Sequence, residues 1–369
     1  MLGTNLMVKR RIRLVACLIA VALAVACGPR AAAPAAGAAP GSPAPAGQSV
    51  ADFYKGKTIT IIVGFAPGGG YDTTARLIAK HIGEHIPGNP NVIVENQEGA
   101  GSMVAANNVF NTAKPDGLTL GAFSEVQVVN QLTKMDGVQF DARKFGWLGS
   151  AIHAPVVCTI RADSPYQTAQ DLLRKDLPPL LLGGTAPGAD TDDFPKILAA
   201  TLGANIRLVS GYAGSSPVRL ATESHEVDGL CWGWTSVTST ASQWLENNFV
   251  TVPIYQAPQR DEYLLARFPN AQRAEDLATD EQSKALIRAG TAASTMQKPL
   301  AAPPGVPADR LKALQDAYWA TVTDPAFLAD AQQAKLDIDP NTGDQTLAIV
   351  EGILNTPPEL AQRLAEIRR

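Results

Sequence analysis

The amino-acid sequence predicts an α/β fold with two lobes, and three observations lead to this prediction. Short apolar strand candidates alternate with helical stretches from about residue 58 to about residue 235. A glycine-rich turn joins the first strand candidate directly to the first helix candidate. The last third of the chain is rich in helical patterns. Alternation of this kind is typical of βαβ units, which form parallel sheets and bind ligands where strand carboxyl ends run into loops.

The strand candidates are short runs of apolar and often β-branched residues, which is the pattern of buried strands. In chain order they are ITIIVGF, NVIVEN, TLGAF, VVCTI, LLLGG, IRLVSGY and GLCWGW. The helix candidates between them are TTARLIAKHIGEHI, SMVAANNVFNTA, TAQDLLRK, TDDFPKILAATLG and SPVRLATES.

The C-terminal third adds three helix candidates, which Pro and Gly signals separate: ADRLKALQDAYWATV, PAFLADAQQAK and QTLAIVEGIL. We expect these helices to pack back onto the first part of the chain. The expected organisation is a discontinuous first lobe, residues 51–150 and 251–369, with a second lobe inserted at residues 151–250.

The N-terminal residues predict export. Four basic residues between positions 9 and 13 precede an apolar run over residues 14–26, which is too short to span a bilayer comfortably. We expect residues 1–26 to be a signal peptide. Cys27 ends the complete apolar run and follows small residues, so we expect it to be the lipidated first residue of a mature lipoprotein. Cys17 has a good local lipobox but almost no apolar stretch before it, and cleavage by an ordinary signal peptidase is the alternative.

Residues 27–50 predict a tether. They are nearly all Ala, Pro or Gly and carry no charge after Arg30, so they have nothing with which to form a core. Such a tether would hold a domain away from a membrane surface, as suits a lipid-anchored receptor in the periplasm or another extracytoplasmic space. Removal of the four basic residues of the signal lowers the formal net charge from −4 to −8, which argues against nucleic acid as a partner.

Cys158 and Cys231 are the two cysteines that follow the tether, and each lies in an apolar, strand-like stretch. An exported compartment permits a disulfide. The sequence leaves two alternatives open, a disulfide and a pair of buried free thiols. The free thiols are preferred, because nothing in the sequence places the two Cα atoms within bridging distance.

The turn GFAPGGGYD, residues 64–72, is a candidate anion site. A strand that turns sharply into a helix leaves backbone N–H groups unpaired at the positive end of the helix dipole, and glycine lets a ligand approach them closely. The P-loop and dinucleotide patterns both fail here, because Gly70, Tyr71 and Thr73 occupy positions that those motifs reserve for other residues. Asp72, at the expected N-cap, would repel a phosphate, so a weaker anion is favoured. A plain tight turn is the alternative.

The segment HIGEH offers an alternative function. His81, Glu84 and His85 reproduce the H-x-x-E-H spacing of zinc hydrolases. However, the segment ends the first helix candidate, where polar side chains normally face water, and no third ligand is evident by spacing. No G-x-S-x-G elbow is present, and His153 and His225 have no assigned partner for nucleophilic catalysis. We therefore expect neither an enzyme nor a metal site.

Five segments, taken together and in this order, resemble a known family: IIVGFAPGGGYDTTARLIAKHI, VIVENQEGAGSMVAANNV, AKPDGLTLG, SGYAGSSPVRLATESHEVDGLCWG and KPLAAPPGVPADRLKAL. They resemble the substrate-binding proteins of tripartite tricarboxylate transporters, also called Bug receptors, over roughly residues 55–340. The resemblance implies two α/β lobes of the periplasmic-binding-protein type that close on a ligand cleft. It also implies capture of a small carboxylate-bearing solute, an organic acid or an amino acid, for delivery to a membrane permease. We expect a monomer without a cofactor.

The resemblance implies a ligand site formed by loops of both lobes, in which the first loop grips a carboxylate through backbone N–H groups. Its members lie at strand ends or helix starts: Phe65, Gly68, Gly69, Gly70 and Asp72 in the first lobe, and Thr185, Asp190, Tyr212 and Gly214 in the second. Ala213 replaces the basic residue of the Y-R-G segment that many relatives carry.

Three further residues are candidates for the same site. Ser124 and Gln127, in the loop after TLGAF, would hydrogen-bond a ligand, or they are solvated loop residues. Trp234 is preferred over Trp232 as a pocket residue because it lies at the end of its strand candidate, although aromatic residues near strands usually belong to the core. The second loop departs from the family by carrying Asp192, Asp193 and Phe194, and these extra acids disfavour a tricarboxylate and leave room for a ligand with an amine.

Overall fold

Two mixed six-stranded sheets organise residues 48–369, the part of the chain that the computed structural model describes. The predicted signal peptide, Cys27 and the tether up to residue 47 lie outside the described residues. The strands are β1 Thr58–Val63, β2 Asn91–Asn96, β3 Thr119–Ala122, β4 Gly146–Ile152, β5 Val156–Arg161, β6 Leu180–Gly183, β7 Ile206–Val209, β8 Gly229–Gly233, β9 Val250–Gln256, β10 Gln272–Arg273, β11 Gln297–Ala302 and β12 Asn341–Thr342.

Helices cover both sheets. In chain order they are α1 Val50–Tyr54, α2 Gly70–His85, α3 Met103–Asn111, α4 Val126–Leu132, α5 Asp190–Leu202, α6 Ser215–Glu223, α7 Trp234–Thr240, α8 Ser242–Glu246, α9 Glu262–Arg267, α10 Ala274–Leu277, α11 Glu281–Thr291, α12 Ala308–Val322, α13 Pro325–Gln333, α14 Gly343–Leu354 and α15 Pro358–Arg368. No helix within residues 48–369 combines the length and the apolar character needed to cross a membrane.

The first βα unit shows why these residues fold as they do. Ile59, Ile61 and Val63 alternate along β1 and point to one buried face. Ile78 and Ile82 lie one helical turn apart on α2 and are buried in the same apolar core. Burial of each such side chain contributes about 1.5 to 3 kcal/mol. The unit is therefore specified by the alternating apolar residues of β1 and the helically spaced apolar residues of α2, which are buried in the same core.

The strand order is β12-β4-β11-β3-β1-β2 in the first sheet and β10-β9-β5-β8-β6-β7 in the second. The predicted α/β fold with two lobes is confirmed, but the prediction of parallel sheets is only partly correct. In the first sheet β11 runs antiparallel to β3 and β4, and in the second β5 runs antiparallel to β8 and β9. In the first sheet the antiparallel strand β11 belongs to the segment that returns from the second lobe, whereas the strands of the second sheet all come from one pass of the chain.

Two central strands of the first sheet were not among the strand candidates. The strand β4 reads GWLGSAI and β11 reads QKPLAA, and both are rich in residues with weak strand preference. Their burial between neighbouring strands stabilises the strand conformation that these residues do not favour by themselves. Conversely, the predicted helix TAQDLLRK is only a short 3₁₀ turn at Asp171–Leu173.

The boundary of the second lobe also needs correction. The expected end at residue 250 falls on the first residue of β9, which pairs with β5 in the second sheet, and β10 then pairs with β9. The second lobe therefore continues through α11, which packs against α5. The chain passes between the lobes at residues 153–155 and 292–296, and α15 finally packs on α5 and α11 of the second lobe.

Cys158 and Cys231 form a disulfide. They lie directly opposite each other on the antiparallel pair β5 and β8, and both are fully buried. The preferred interpretation of two free thiols is therefore wrong, because strand register, which the sequence does not show, brings the sulfurs together. The bridge cross-links the two central strands of the second sheet, next to Trp232 and Gly233.

Candidate functional site

The amino ends of three helices from the two lobes converge on one small cavity. They are α2 from the first lobe and α5 and α6 from the second, and the start of β11 closes the cavity from the crossing between the lobes. The cavity has a volume of about 30 Å³. Its lining comprises Phe65, Ala66, Gly69, Gly70, Tyr71, Thr185, Asp190, Thr191, Ser215, Trp232, Gly233, Ser236 and Lys298.

A wider opening of about 230 Å³ adjoins this cavity and shares Phe65 and Thr185 with it. Tyr212 lines the opening from the second lobe and Gly101 from the first. A space of about 30 Å³ holds a water molecule but no organic solute.

The glycine turn is held by Asp72. Gly68 donates its N–H to Asp72 at 2.9 Å, while Arg76 and the side-chain amide of Asn96 donate to the same carboxylate at 2.9 Å each. Burial alone would raise the pKa of Asp72, but these hydrogen bonds outweigh it and hold the pKa below its ordinary value. Asp72 lies in the first turn of α2 and Gly69 is the N-cap, so the predicted N-cap role of Asp72 is corrected. The positive φ, +79°, belongs to Gly68, whereas Gly69 has φ −86°.

The two lobes approach most closely at Gly70. A Cβ atom added there would lie 2.1 Å from Ser236 Oγ and 2.9 Å from Ser236 Cβ. At Gly214 an added Cβ would lie 3.4 Å from Ala66 Cβ, an ordinary van der Waals contact across the cleft. The glycines of both lobes thus permit backbone contact across the cleft rather than only a tight turn.

Lys298 is the cation of the cavity, and sequence reasoning did not find it. It is only 5% exposed and has a left-handed backbone with φ +55°. Its ammonium group lies 3.9 Å from the centre of the Tyr71 ring. Within residues 48–369 its ammonium group makes no hydrogen bond and has no carboxylate oxygen within 4 Å, whereas its backbone N–H contacts Glu125. A buried ammonium group without an ionic partner is costly, and a ligand anion would relieve that cost.

Two acids share the cavity region with Lys298. The Tyr71 hydroxyl donates to Glu125 at 2.7 Å, and Asp190 lines the cavity itself. Burial raises the pKa of Glu125. Burial, with the nearby Glu125 charge, raises the pKa of Asp190 to about 7. Burial also lowers the pKa of Lys298, against the opposing effect of the two acids.

The structure brings together only part of the predicted site. Five predicted residues line the cavity, and Tyr212 lines the wider opening: Phe65, Gly69, Gly70, Thr185, Asp190 and Tyr212. Gly68 and Asp72 hold the first-lobe loop through their hydrogen bond, and Gly214 faces Ala66 across the cleft. The Ser124 hydroxyl instead hydrogen-bonds the Tyr71 oxygen at 3.2 Å and accepts the N–H of Val126, and Gln127 donates to the carbonyl oxygen of Gly101. Those two side chains are buried, so the solvated-loop alternative is wrong, and neither of them lines the cavity or the opening.

Trp232, not Trp234, reaches the cavity. Trp234 opens α7 and packs edge-on against Phe268, with ring centres 6.0 Å apart. The preference for Trp234 is therefore corrected. The strand ends at Gly233, and the helical turn that follows carries the Trp234 side chain away from the cleft.

The extra acids of the second loop also face away from the cavity. Asp192 accepts a hydrogen bond from Ser210. Asp193 pairs with Arg368 of α15 and accepts the N–H of Gly188 at 3.1 Å. Both carboxylates have hydrogen-bond partners within the protein, so the acids nearest the cavity are Asp190, in its lining, and Glu125, on Tyr71.

The H-x-x-E-H histidines contact two aspartates, one at the N-cap of α13 and one within that helix. His81 Nε2 lies 2.7 Å from Asp330, and His85 Nε2 lies 3.7 Å from Asp324. Within residues 48–369 no group of three or more His, Cys, Asp or Glu side chains is arranged to hold a metal ion. These contacts pack α2 against α13, and they explain the H-x-x-E-H spacing without a metal ion.

Two signals in the sequence point to the residues that were missed. Lys298 is the single charge in the otherwise uncharged, mostly apolar segment MQKPLAA, and Glu125 follows the candidate Ser124 directly. A charge inside an apolar strand is rarely buried unless it is paired or binds a ligand. Neither signal shows that both residues meet Tyr71, because they lie far apart in the chain.

Comparisons with known proteins agree with this architecture. A sequence model described as "Tripartite tricarboxylate transporter family receptor" matches residues 74–351. A UPF0065 protein of Bordetella pertussis is 29% identical over 290 residues, which are 77% of this chain and 82% of the relative.

Solved structures show the same fold. The periplasmic binding protein BugD superposes with a TM-score of 0.67 at 19% identity, over 85% of this chain and 98% of that one. MatC from Rhodopseudomonas palustris, solved with bound malate, gives 0.65 at 20% identity, over 85% and 99%. A further R. palustris protein, solved with adipate, gives 0.66 at 18% identity, over 84% and 97%.

Proposed function

Because this chain belongs to the tripartite tricarboxylate transporter family of receptors, we propose that it captures a small carboxylate-bearing solute in the cleft between its lobes and delivers it to a membrane permease. The observation that carries the proposal is Lys298, a buried cation without an ionic partner among the described residues, at the point where the amino ends of α2, α5 and α6 meet. Helix amino ends and an ammonium group both stabilise a carboxylate.

The geometry supports contacts to the solute from both lobes. The loop at Gly69 and Gly70 offers backbone N–H groups from the first lobe, and Thr185 and Ser215 offer hydroxyl groups from the second. Contacts from both lobes exist together only when the cleft is closed, so binding favours closure. Malate and adipate, the ligands named for two relatives of the same fold, are carboxylates and support the same ligand class here.

We place the receptor outside the cytoplasm and expect it to release its solute unchanged. Lys298 and Asp190 are the charged groups of the described cavity lining, where no hydroxyl group is paired with a histidine, and the H-x-x-E-H histidines are engaged by Asp324 and Asp330. The solute recovered after incubation is therefore expected to have its original mass.

Replacing Lys298 with Met is expected to weaken carboxylate binding by about tenfold to a hundredfold, because a charge-assisted hydrogen bond contributes about 1.5 to 3 kcal/mol. The measurement is a thermal-shift screen of the purified protein against mono-, di- and tricarboxylates, followed by calorimetry with any acid that raises the unfolding temperature. A ligand that binds only the folded state stabilises it by mass action.

Lys114→Met is the matched control, since Lys114 is exposed and makes no ion pair with a described residue. It should bind the same acid with unchanged affinity. If no carboxylate at millimolar concentration stabilises the protein, or if Lys298→Met binds as well as the parent chain, the proposed site is wrong.

The proposed receptor is held at a membrane by lipid on Cys27, which ends the apolar run and precedes the Ala/Pro/Gly tether. Cys27→Ala is expected to leave an unprocessed precursor or to release the protein into the soluble fraction. Fractionation with mass analysis of the N-terminus distinguishes the two. Cys17→Ala is the matched control and should remain lipidated and membrane-bound; the reverse pattern would assign the anchor to Cys17.

A further inference from the structure

Around the cavity, acidic side chains outnumber basic ones. Lys298 is the one ammonium or guanidinium group in the described lining, whereas the acids Asp190 and Glu125 both stand within its electrostatic reach. The Glu125 carboxylate accepts the Tyr71 hydroxyl at 2.7 Å, and backbone N–H groups of Glu125 and Lys298 also stabilise its charged form. Asp190 accepts a single hydrogen bond, from the N–H of Thr191 to Oδ1 at 2.9 Å, and its Oδ2 has no partner among the described residues.

From this arrangement we propose that the solute carries a positively charged amino group as well as a carboxylate, and that Asp190 binds the amino group while Lys298 and the α2 loop bind the carboxylate. This inference rests on the proposed function, because it assigns a second contact to the same solute. Asp190 would be the residue that selects amino acids over simple organic acids.

Charge balance is the physical reason. A dicarboxylate would add two negative charges to a closed, poorly hydrated space that already contains Asp190 and Glu125, where repulsion is far stronger than in water. An amino acid adds one charge of each sign and meets an unsatisfied partner for each. Specificity then comes as much from repulsion of the wrong ligand as from attraction of the right one.

The placement of Asp190 supports the same assignment. It opens α5 in the second lobe, whereas the α2 loop belongs to the first. An amino acid that bridges the two would have its carboxylate on one lobe and its ammonium group on the other. Such a ligand links the lobes with two charge-assisted contacts and stabilises the closed cleft.

The titration of Asp190 gives an independent readout. Burial and the Glu125 charge raise its pKa to about 7, and the other groups that face it are Lys298 on β11, Tyr71 on α2 and Asp193 on its own helix. Below pH 7 the protonated Asp190 loses its attraction for an ammonium group and its repulsion of a second carboxylate. Amino-acid affinity should therefore fall, and dicarboxylate affinity rise, as pH decreases from 8 to 6.

The test is calorimetry of the purified protein with matched small molecules at pH 8. The four-carbon set is butanoate, 4-aminobutanoate and succinate, accompanied by the three- and five-carbon homologues of each, α-alanine and glutamate. At least one amino acid is expected to bind about tenfold or more tightly than the monocarboxylate and dicarboxylate of equal length. Asp190→Asn is expected to abolish that preference and the dependence on pH, while Glu125→Gln should retain the preference.

Asp344→Asn is the matched control, because Asp344 is exposed and lies in the first turn of α14, so the same charge is lost outside the cleft. It should leave every affinity unchanged. Equal or tighter binding of the dicarboxylates at pH 8, or an Asp190→Asn variant that keeps the amino-acid preference, overturns this inference and leaves the carboxylate receptor intact. A chain that binds none of the carboxylates overturns the proposed function instead.

Discussion

Replacing Arg368 with Met is expected to lower the free energy of unfolding by about 3 to 5 kcal/mol, which is the usual cost of removing one partner of a buried ion pair. Arg368 is 1% exposed, and its guanidinium group pairs with Asp193 on α5, with Nε donating at 2.7 Å. The same group donates to Thr133 at 2.7 Å and to the carbonyl oxygen of Val129 at 3.1 Å on α4 of the first lobe. Its loss leaves a buried carboxylate without a cation.

Those contacts join the second lobe, on which α15 packs, to the first. A second bridge supports them, because Asn130 accepts from Arg368 and donates to the carbonyl oxygen of Gly188 at 2.9 Å. Besides unfolding at lower denaturant concentration, the Arg368→Met variant should therefore have a larger radius of gyration without solute, as measured by small-angle scattering.

Arg363→Met provides the matched control for this prediction. Arg363 lies on the same helix but is exposed, and it pairs only with Glu366 among the described residues. Its replacement should change the unfolding free energy by no more than about 0.5 kcal/mol. Equal effects of the two substitutions would show that α15 contributes helix packing and that the buried pair contributes nothing of its own.

Replacing Gly70 with Val is expected to weaken solute binding by about a hundredfold or more, because it prevents full closure of the cleft. A Cβ at Gly70 would lie 2.9 Å from Ser236 Cβ, closer than real carbon atoms approach. Overpacking of this kind costs about 1 to 3 kcal/mol in a rigid core, and a branched side chain adds further clashes. The cost falls on the closed state alone, so apparent affinity drops in proportion to the population of that state.

Two measurements distinguish obstructed closure from a misfolded protein. Scattering should show that the parent chain contracts at saturating solute while Gly70→Val does not, although its unfolding temperature without solute is nearly unchanged. Gly352→Val is the matched control, because an added Cβ at Gly352 on α14 meets no atom within 4 Å. Contraction of Gly70→Val to the size of the parent complex would contradict the prediction.

Some features were determined by the sequence alone because the information is local. The β1 strand and α2 are fixed by their own apolar periods, and the glycine turn between them follows from residues 64–72. The predicted family and two-lobed fold depend on short motifs in order, which tolerate errors in single elements. Five of the proposed cavity residues followed from the same motifs, since each lies at a strand end or helix start.

Tertiary structure decided what depends on residues distant in the chain. Strand register brought Cys158 opposite Cys231, and burial between neighbours made a central strand of the weak sequence QKPLAA. The direction of single side chains was also decided there: Trp232 faces the cavity, and Asp193 turns to Arg368 instead. Lys298 lies against Tyr71 because the crossing between the lobes places it there. The surroundings of a charged side chain are set by the chain segments that pack around it, and not by its neighbours in sequence.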